Sequence, residues 1–312
     1  MSVQKDYSCN MEEHFVYTSS KTFHFVETKA VAVGRFKFSA TGKAGLIIVL
    51  AWLIIAGFGR WVAPYGENDL PFPDAYGQFQ PPQAGALLGT DVDDRDILSR
   101  VIYGAGRTIG ISFTATAIAY VFGILLGFFA AIAGPKTDMV LSRINDALLS
   151  LPTIMLGMVM VAAVGSSTSM LIIVASLVYI PIVFRMARAI GMEIKMTDFI
   201  EAAQARGEGP WWIVMREIWP NAAMPLVSDF GLRLIYVTLF LSSLSFLGLG
   251  VQPPHADWGS MVRENLGAFQ SFGASIVPVI APAFALATLT IGINLIVDDF
   301  SAQAGSKFSR KM

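Results

Sequence analysis

The sequence predicts an all-α membrane protein with six transmembrane helices and both termini on the cytoplasmic side. Three observations carry this. The first is composition: 54% of the 312 residues are hydrophobic and only 14% are charged, against roughly 25% charged in a soluble domain. The second is six apolar stretches of about the length a helix needs to cross the hydrocarbon core, Ala44–Ala63, Ile109–Ala133, Ala147–Val164, Met170–Phe184, Leu234–Val251 and Ala274–Val297. The third is the placement of lysine and arginine. Lys5, Lys21, Lys29, Arg35, Lys37 and Lys43 precede the first stretch; Lys136 and Arg143 join the second to the third; Arg185, Arg188, Lys195, Arg206 and Arg216 join the fourth to the fifth; Lys307, Arg310 and Lys311 close the chain. The alternate connections carry few, chiefly Arg95, Arg100 and Arg263. The basic side is the cytoplasmic one.

Taken in order, residues 1–43 form a polar arm with no apolar core of a cleaved signal, and are read as a retained cytoplasmic tail. Cys9, the single cysteine, has no partner for an intramolecular disulfide. The membrane domain runs from 44 to 298, and 299–312 is a short cytoplasmic tail. The outer segment 64–107 is rich in proline and glycine and holds Asp91, Asp93, Asp94 and Asp96, either a steering surface for a partner or a solvated face. Gly106/Gly110 and Gly123/Gly127 are small-residue pairs that let helices approach closely. The fourth stretch is short, and Arg185 and Arg188 could lengthen it by snorkelling. Near the cytoplasmic entry of the fifth, Asp229 and Arg233 stand four apart and are read as a structural pair on one helix face. Gly248-Leu249-Gly250 before Pro253-Pro254 marks a helix end, either a plain stop or a hinge of an outer gate. Asn294, Asp298 and Asp299 are read as a solvated end of the sixth span, and His255 shows no metal-site spacing.

The polar loop 191–225 is the most informative stretch. Thr197 or Asp198 starts a short helix containing Glu201, Ala202 and Ala203; Gly207 and Gly209-Pro210 break it. A second short helix, from about Trp211 to Ile218, places Trp212, Met215 and Trp219 at helical spacing and stops at Pro220. Such a protrusion suits a groove on a soluble partner.

Glu201-Ala202-Ala203, Gly207 and Ile218-Trp219-Pro220 resemble the EAA loop of bacterial ABC-importer permeases. Trp219 stands where that family has leucine, and Ile218 keeps the register of its peptide-transporter branch. Leu88-Gly89-Thr90-Asp91 with Arg95-Asp96, and Ser245-Phe246-Leu247-Gly248-Leu249-Gly250-Val251-Gln252-Pro253-Pro254 with Trp258-Gly259, are similar to segments of the dipeptide/oligopeptide/nickel branch of DppC/OppC type. Asp94 replaces that branch's usual glycine. The resemblance implies a type I importer permease in a bacterial inner membrane, paired with a second homologous permease, two ABC ATPase subunits and an extracytoplasmic solute-binding protein. It implies alternating access, with di- or oligopeptide as cargo; nickel, opines or glutathione are the alternatives within the same assembly.

Enzymatic and nucleotide-binding motifs are missing. Thr41-Gly42-Lys43 has Lys37 where a phosphate loop needs its first glycine, and there is no G-x-S-x-G, H-E-x-x-H or C-x-x-C. The chain is therefore expected to hydrolyse no ATP and to bind no cofactor or metal, ATP being used by its partner subunits. The net charge of -1 suggests no nucleic-acid partner. An ion-driven secondary transporter is the rival; it would favour buried acidic residues and an inverted repeat.

Overall fold

The computed structural model describes residues 38–72, 78–270 and 275–309, with side chains as far as 302. Cys9, Pro73, Ala274, Arg310, Lys311 and the arm to residue 37 lie outside the described residues.

Among the described residues there are ten α-helices: α1 Ala40–Val62, α2 Ile97–Ile132, α3 Pro135–Leu149, α4 Thr153–Val164, α5 Thr168–Lys195, α6 Asp198–Ala205, α7 Pro210–Ile213, α8 Trp219–Phe246, α9 Trp258–Glu264 and α10 Val277–Ser309. Among the described residues only isolated bridges occur, with no strand. Helices α1, α2, α5, α7–α8 and α10 are long and apolar enough to cross a membrane, and α3 with α4 makes a sixth candidate bent by 86°.

Several boundaries differ from expectation, each for a physical reason. Helix α2 begins at Ile97, not Ile109, because Asp96 caps it by accepting from Ser99 N at 2.8 Å. Its first turns carry Ser99, Arg100 and Thr108, polar residues buried by protein, so hydropathy passes over them. Helix α5 extends to Lys195, well past Phe184, its basic end continuing the helix beyond the apolar window. The expected third span, Ala147–Val164, is bent, with the end of α3 and the whole of α4 on either side of the break. Pro152 disfavours helical backbone at Leu151, and the twelve-residue α4 rises only about 18 Å. The helix ending at Pro220 does not end there. Residues Val214–Ile218 form a π-helical turn that leads directly into α8. The widened turn lies immediately before Pro220, where the ring would otherwise press on the preceding turn, and Asn221 Nδ2 donates to Glu217 O at 2.6 Å.

The core is a tight α2–α5 pair. A Cβ on Gly123 would stand 2.7 Å from Val183 Cβ, and one on Gly127 2.7 Å from Phe184 O, so these glycines set the helix separation. Gly106 likewise faces Ala56 O of α1, but Gly110 faces open space and does not take part. Helix α1 leans on α10 through Gly45 and Gly292 and exposes Ile47, Leu50, Ile54 and Phe58. Asp299 is not a solvated end: it is buried and accepts from Ser39 N, at the start of α1, where a helix N-terminus favours negative charge.

Candidate functional site

The two ends of the bundle are built differently. At one end, residues 196–220 form a protruding loop. Thr197 occupies the N-cap of α6, but its hydroxyl donates to Ile194 O instead of capping. Asp198 and Glu201 lie in the first turn, where the helix dipole favours them. Gly207 ends α6 at φ +81°, with Gly207 N donating to Gln204 O and Glu208 N to Ala203 O, the Schellman pattern that needs a left-handed residue.

The loop has a buried base and an exposed crest. Ile200, Ala203, Ile213, Val214 and Ile218 are fully buried against Tyr120, Ile124 and Phe128 of α2 and Val183 and Ala187 of α5. Ala203 and Ile218 therefore hold the loop on the bundle. Met196, Phe199, Trp211, Trp212 and Met215 are exposed on the other side, Met196 at 84% and Trp211 at 54%. Glu201, Ala202 and Gly207 are exposed as well, and the Glu201 side chain makes no hydrogen bond or ion pair among the described residues. Trp219 is half-exposed and stacks edge-on to Phe128. Phe199 and Trp211 join the crest although the spacing argument passed over them; their signal was adjacency to Glu201 and Trp212.

At the other end, residues 64–72, 78–96 and 252–270 fold into a polar cap. The expected acidic surface is mostly internal. Asp91 is fully buried and accepts from Arg95 Nε at 2.8 Å, while Arg100, also fully buried, lies 3.3 Å from Asp91 and 3.2 Å from Glu264. Asp96 caps α2; Asp93 stays exposed and Asp94 is half-buried. Asp94 adopts φ +64°, which explains its standing where glycine is usual, since aspartate tolerates that region better than most residues. Trp258 is fully buried, donates from Nε1 to Val101 O at 3.0 Å and packs on Trp52. Glu67 clamps Arg107 and the Ala256 N–H; burial works to raise its carboxyl, but the Arg107 hydrogen bond and the Ala256 amide hold it below the usual range. Burial pushes Glu264 up, with Arg100 and Arg95 opposing. His255 Nδ1 sits 3.0 Å from Arg107. Sequence spacing could not reveal Glu67 or Glu264, whose partners are distant in the chain.

The Gly248 region is a helix stop. Gly248 N donates to Ser245 O and Leu249 N to Leu244 O, the same Schellman pattern at φ +87°. Gly250 lies so close to Ser245 that a Cβ would overlap it, and Pro253-Pro254 is cis. Midway along the bundle, Asp229 and Arg233 form the expected pair, bidentate at 3.0 and 3.1 Å, with Tyr120 Oη donating to Asp229. Between α4, α8, α9 and α10 an apolar groove of about 610 Å³ includes Leu239, Phe246 and Trp258.

Known proteins fit this geometry. The family described as binding-protein-dependent transport system inner membrane component matches residues 123–302. The dipeptide transport system permease DppC of Alkalihalophilus pseudofirmus is 33% identical, over 86% of this chain and 86% of that protein. The di/tripeptide permease DppC of Pseudomonas aeruginosa is 34% identical over 73% and 77%, and the glutathione permease GsiD of Pectobacterium atrosepticum 29% over 85% and 86%. Among solved structures, the MetNI methionine ABC transporter in an inward-facing conformation superimposes with a TM-score of 0.54 at 20% identity, over 65% of this chain and 94% of that one. The α-helical bundle, the apolar spans and these matches agree: the chain belongs to the family of binding-protein-dependent transport system inner membrane components, as a multi-pass permease of type I ABC importers.

Proposed function

We propose that this chain is one of two permease subunits in an ATP-driven importer of di- and oligopeptides, and that residues 196–220 couple it to an ATPase. The observation that carries the reading is the loop's construction: a base locked into α2 and α5 beneath an exposed crest of Met196, Phe199, Trp211, Trp212 and Met215. A rigid base transmits force, and an apolar crest suits a groove on a soluble protein. The excess of lysine and arginine on the connections sharing that end supports a cytoplasmic placement, with both termini inside.

In this reading, ATP binding closes a pair of ATPase subunits, and the loop carries that motion through α8 and the α2–α5 pair. The pore then opens outward to a solute-binding protein docked on the cap, and hydrolysis resets it. Glu201 and the Gly207 turn present α6 to the ATPase. Peptide cargo is favoured because the relatives above 30% identity include dipeptide permeases, and glutathione, cargo of a more distant relative, is itself a small peptide. Family membership speaks against the ion-driven rival.

The test is tagged purification from the native membrane in mild detergent, comparing the unaltered chain with Trp212→Ala/Met215→Ala. ATPase subunits and a second permease should accompany the unaltered chain. The variant should keep the second permease and lose the ATPases. Full retention of the ATPases by the variant would sink the docking assignment. Uptake of labelled dipeptides against glutathione decides the cargo.

A further inference from the structure

A second recess lies beside α3, away from the loop crest. Helix α3 meets α4 at a bend of 86°, so it does not form one straight rod with α4. It exposes Met139, Val140, Ile144 and Leu148, the first three each by more than half, next to Lys136 and Arg143. Exposed apolar residues beside basic ones are the composition of a helix lying in the membrane interface.

Between α3 and α5 two recesses adjoin, sharing Asn145 and Phe184. One is polar, about 460 Å³, and contains Arg143, Arg185 and Arg188 with Asp138 and Asp146. The other is apolar, about 110 Å³, and runs over Leu126, Ile144, Leu148 and Ile180. The arginines are not equivalent. Arg188 is engaged by Asp138, with Nη2 at 2.6 Å from Oδ2. Arg143 and Arg185 are exposed and make no hydrogen bond or ion pair among the described residues. Three arginines against two aspartates leave one net positive charge in the polar recess.

We propose that these recesses form a binding site for an anionic phospholipid. Its phosphodiester lies against Arg143 and Arg185, and an acyl chain follows Leu126, Ile144 and Leu148. Charge complementarity selects the occupant. A phosphate carried on a neutral or anionic headgroup satisfies both unpaired guanidinium groups. A zwitterionic headgroup would bring a cation toward them, and free phosphate would leave the apolar recess exposed.

The experiment uses the full chain, purified with the subunits that accompany it, and counts bound lipid by native mass spectrometry. Arg143→Gln/Arg185→Gln is compared with Lys43→Gln/Lys136→Gln, which removes the same charge from exposed positions at the same end of the bundle. Retention of phosphatidylglycerol should fall about tenfold or more in the arginine variant and change little in the lysine control. Leu148→Gln, at an exposed position, should also weaken retention, and inorganic phosphate should not displace the lipid. Equal loss in both double variants would reduce the effect to diffuse surface charge and overturn the site. So would equal retention of phosphatidylcholine, displacement by phosphate alone, or a photo-crosslink from position 143 that captures a protein subunit in place of lipid.

Discussion

The same helix-ending motif occurs at both ends of this molecule, in opposite surroundings. Gly207 ends α6 and Gly248 ends α8, each at positive φ with the same two backbone hydrogen bonds. A Cβ on Gly207 would meet nothing within 4 Å, whereas one on Gly248 would stand 3.0 Å from the Arg263 guanidinium. The contrast extends to the whole of each end. The cap is held by buried charge and long-range hydrogen bonds through Asp91, Arg100, Glu264 and Glu67. The loop is held by apolar packing at its base and presents unpaired groups outside. One end spends its polar chemistry on itself; the other leaves surface free for a second protein.

The sharpest break should come in the cap. Arg100→Met removes the fully buried cation between Asp91 and the half-buried Glu264 and leaves Arg95 as their remaining partner, so the loss should approach the lower end of the about 3–5 kcal/mol that breaking a buried ion pair costs. Thermal unfolding of the purified assembly should fall by several degrees, with cap amides losing hydrogen-exchange protection. An unchanged melt would mean that the network is not structural.

The two glycines come next. Gly207→Ala should cost only left-handed strain, roughly 1–2 kcal/mol. Gly248→Ala should cost more, because Arg263 must also move. Equal effects in the melt would remove the distinction between an open and an enclosed turn.

A smaller effect should follow pH. The Glu67 carboxyl is lowered in the folded protein, so its stabilisation is fully present above the unfolded value and is lost as pH falls through the folded one. The protection factor of the Ala256 amide, its exchange rate relative to an unstructured amide at the same pH, should therefore fall on acidification below the ordinary glutamate range, and Glu67→Gln should flatten that response. Glu264, raised by burial, has the opposite sign: its ionisation opposes folding as pH rises through its folded value.

The smallest stability change belongs to the crest. Trp212→Ala/Met215→Ala alters exposed side chains and should shift the melt by no more than about 0.5 kcal/mol per site. A large drop would show that the crest is part of the core.

The apolar spans, the Asp229–Arg233 pair, the Gly123/Gly127 contact and the α6 turn at Gly207 were all legible in the chain, because each depends on residues near one another or on bulk transfer to lipid. Other features were not. Asp91 and Asp96 read as surface charge until Arg100, Glu264 and the α2 N-terminus surround them. Pro220 read as a stop until a π-helical turn carries the chain through it. Ala203 and Ile218 read as docking residues like Trp212, although only burial separates the base of the loop from its crest. The chain by itself determined which segments enter the membrane and where short helices turn, since hydropathy and left-handed backbone are local properties. Tertiary structure decided which charges are internal and which aromatics remain free, because desolvation depends on the surrounding fold and partners such as Arg107 with Glu67 and Ser39 with Asp299 lie 40 and 260 residues apart.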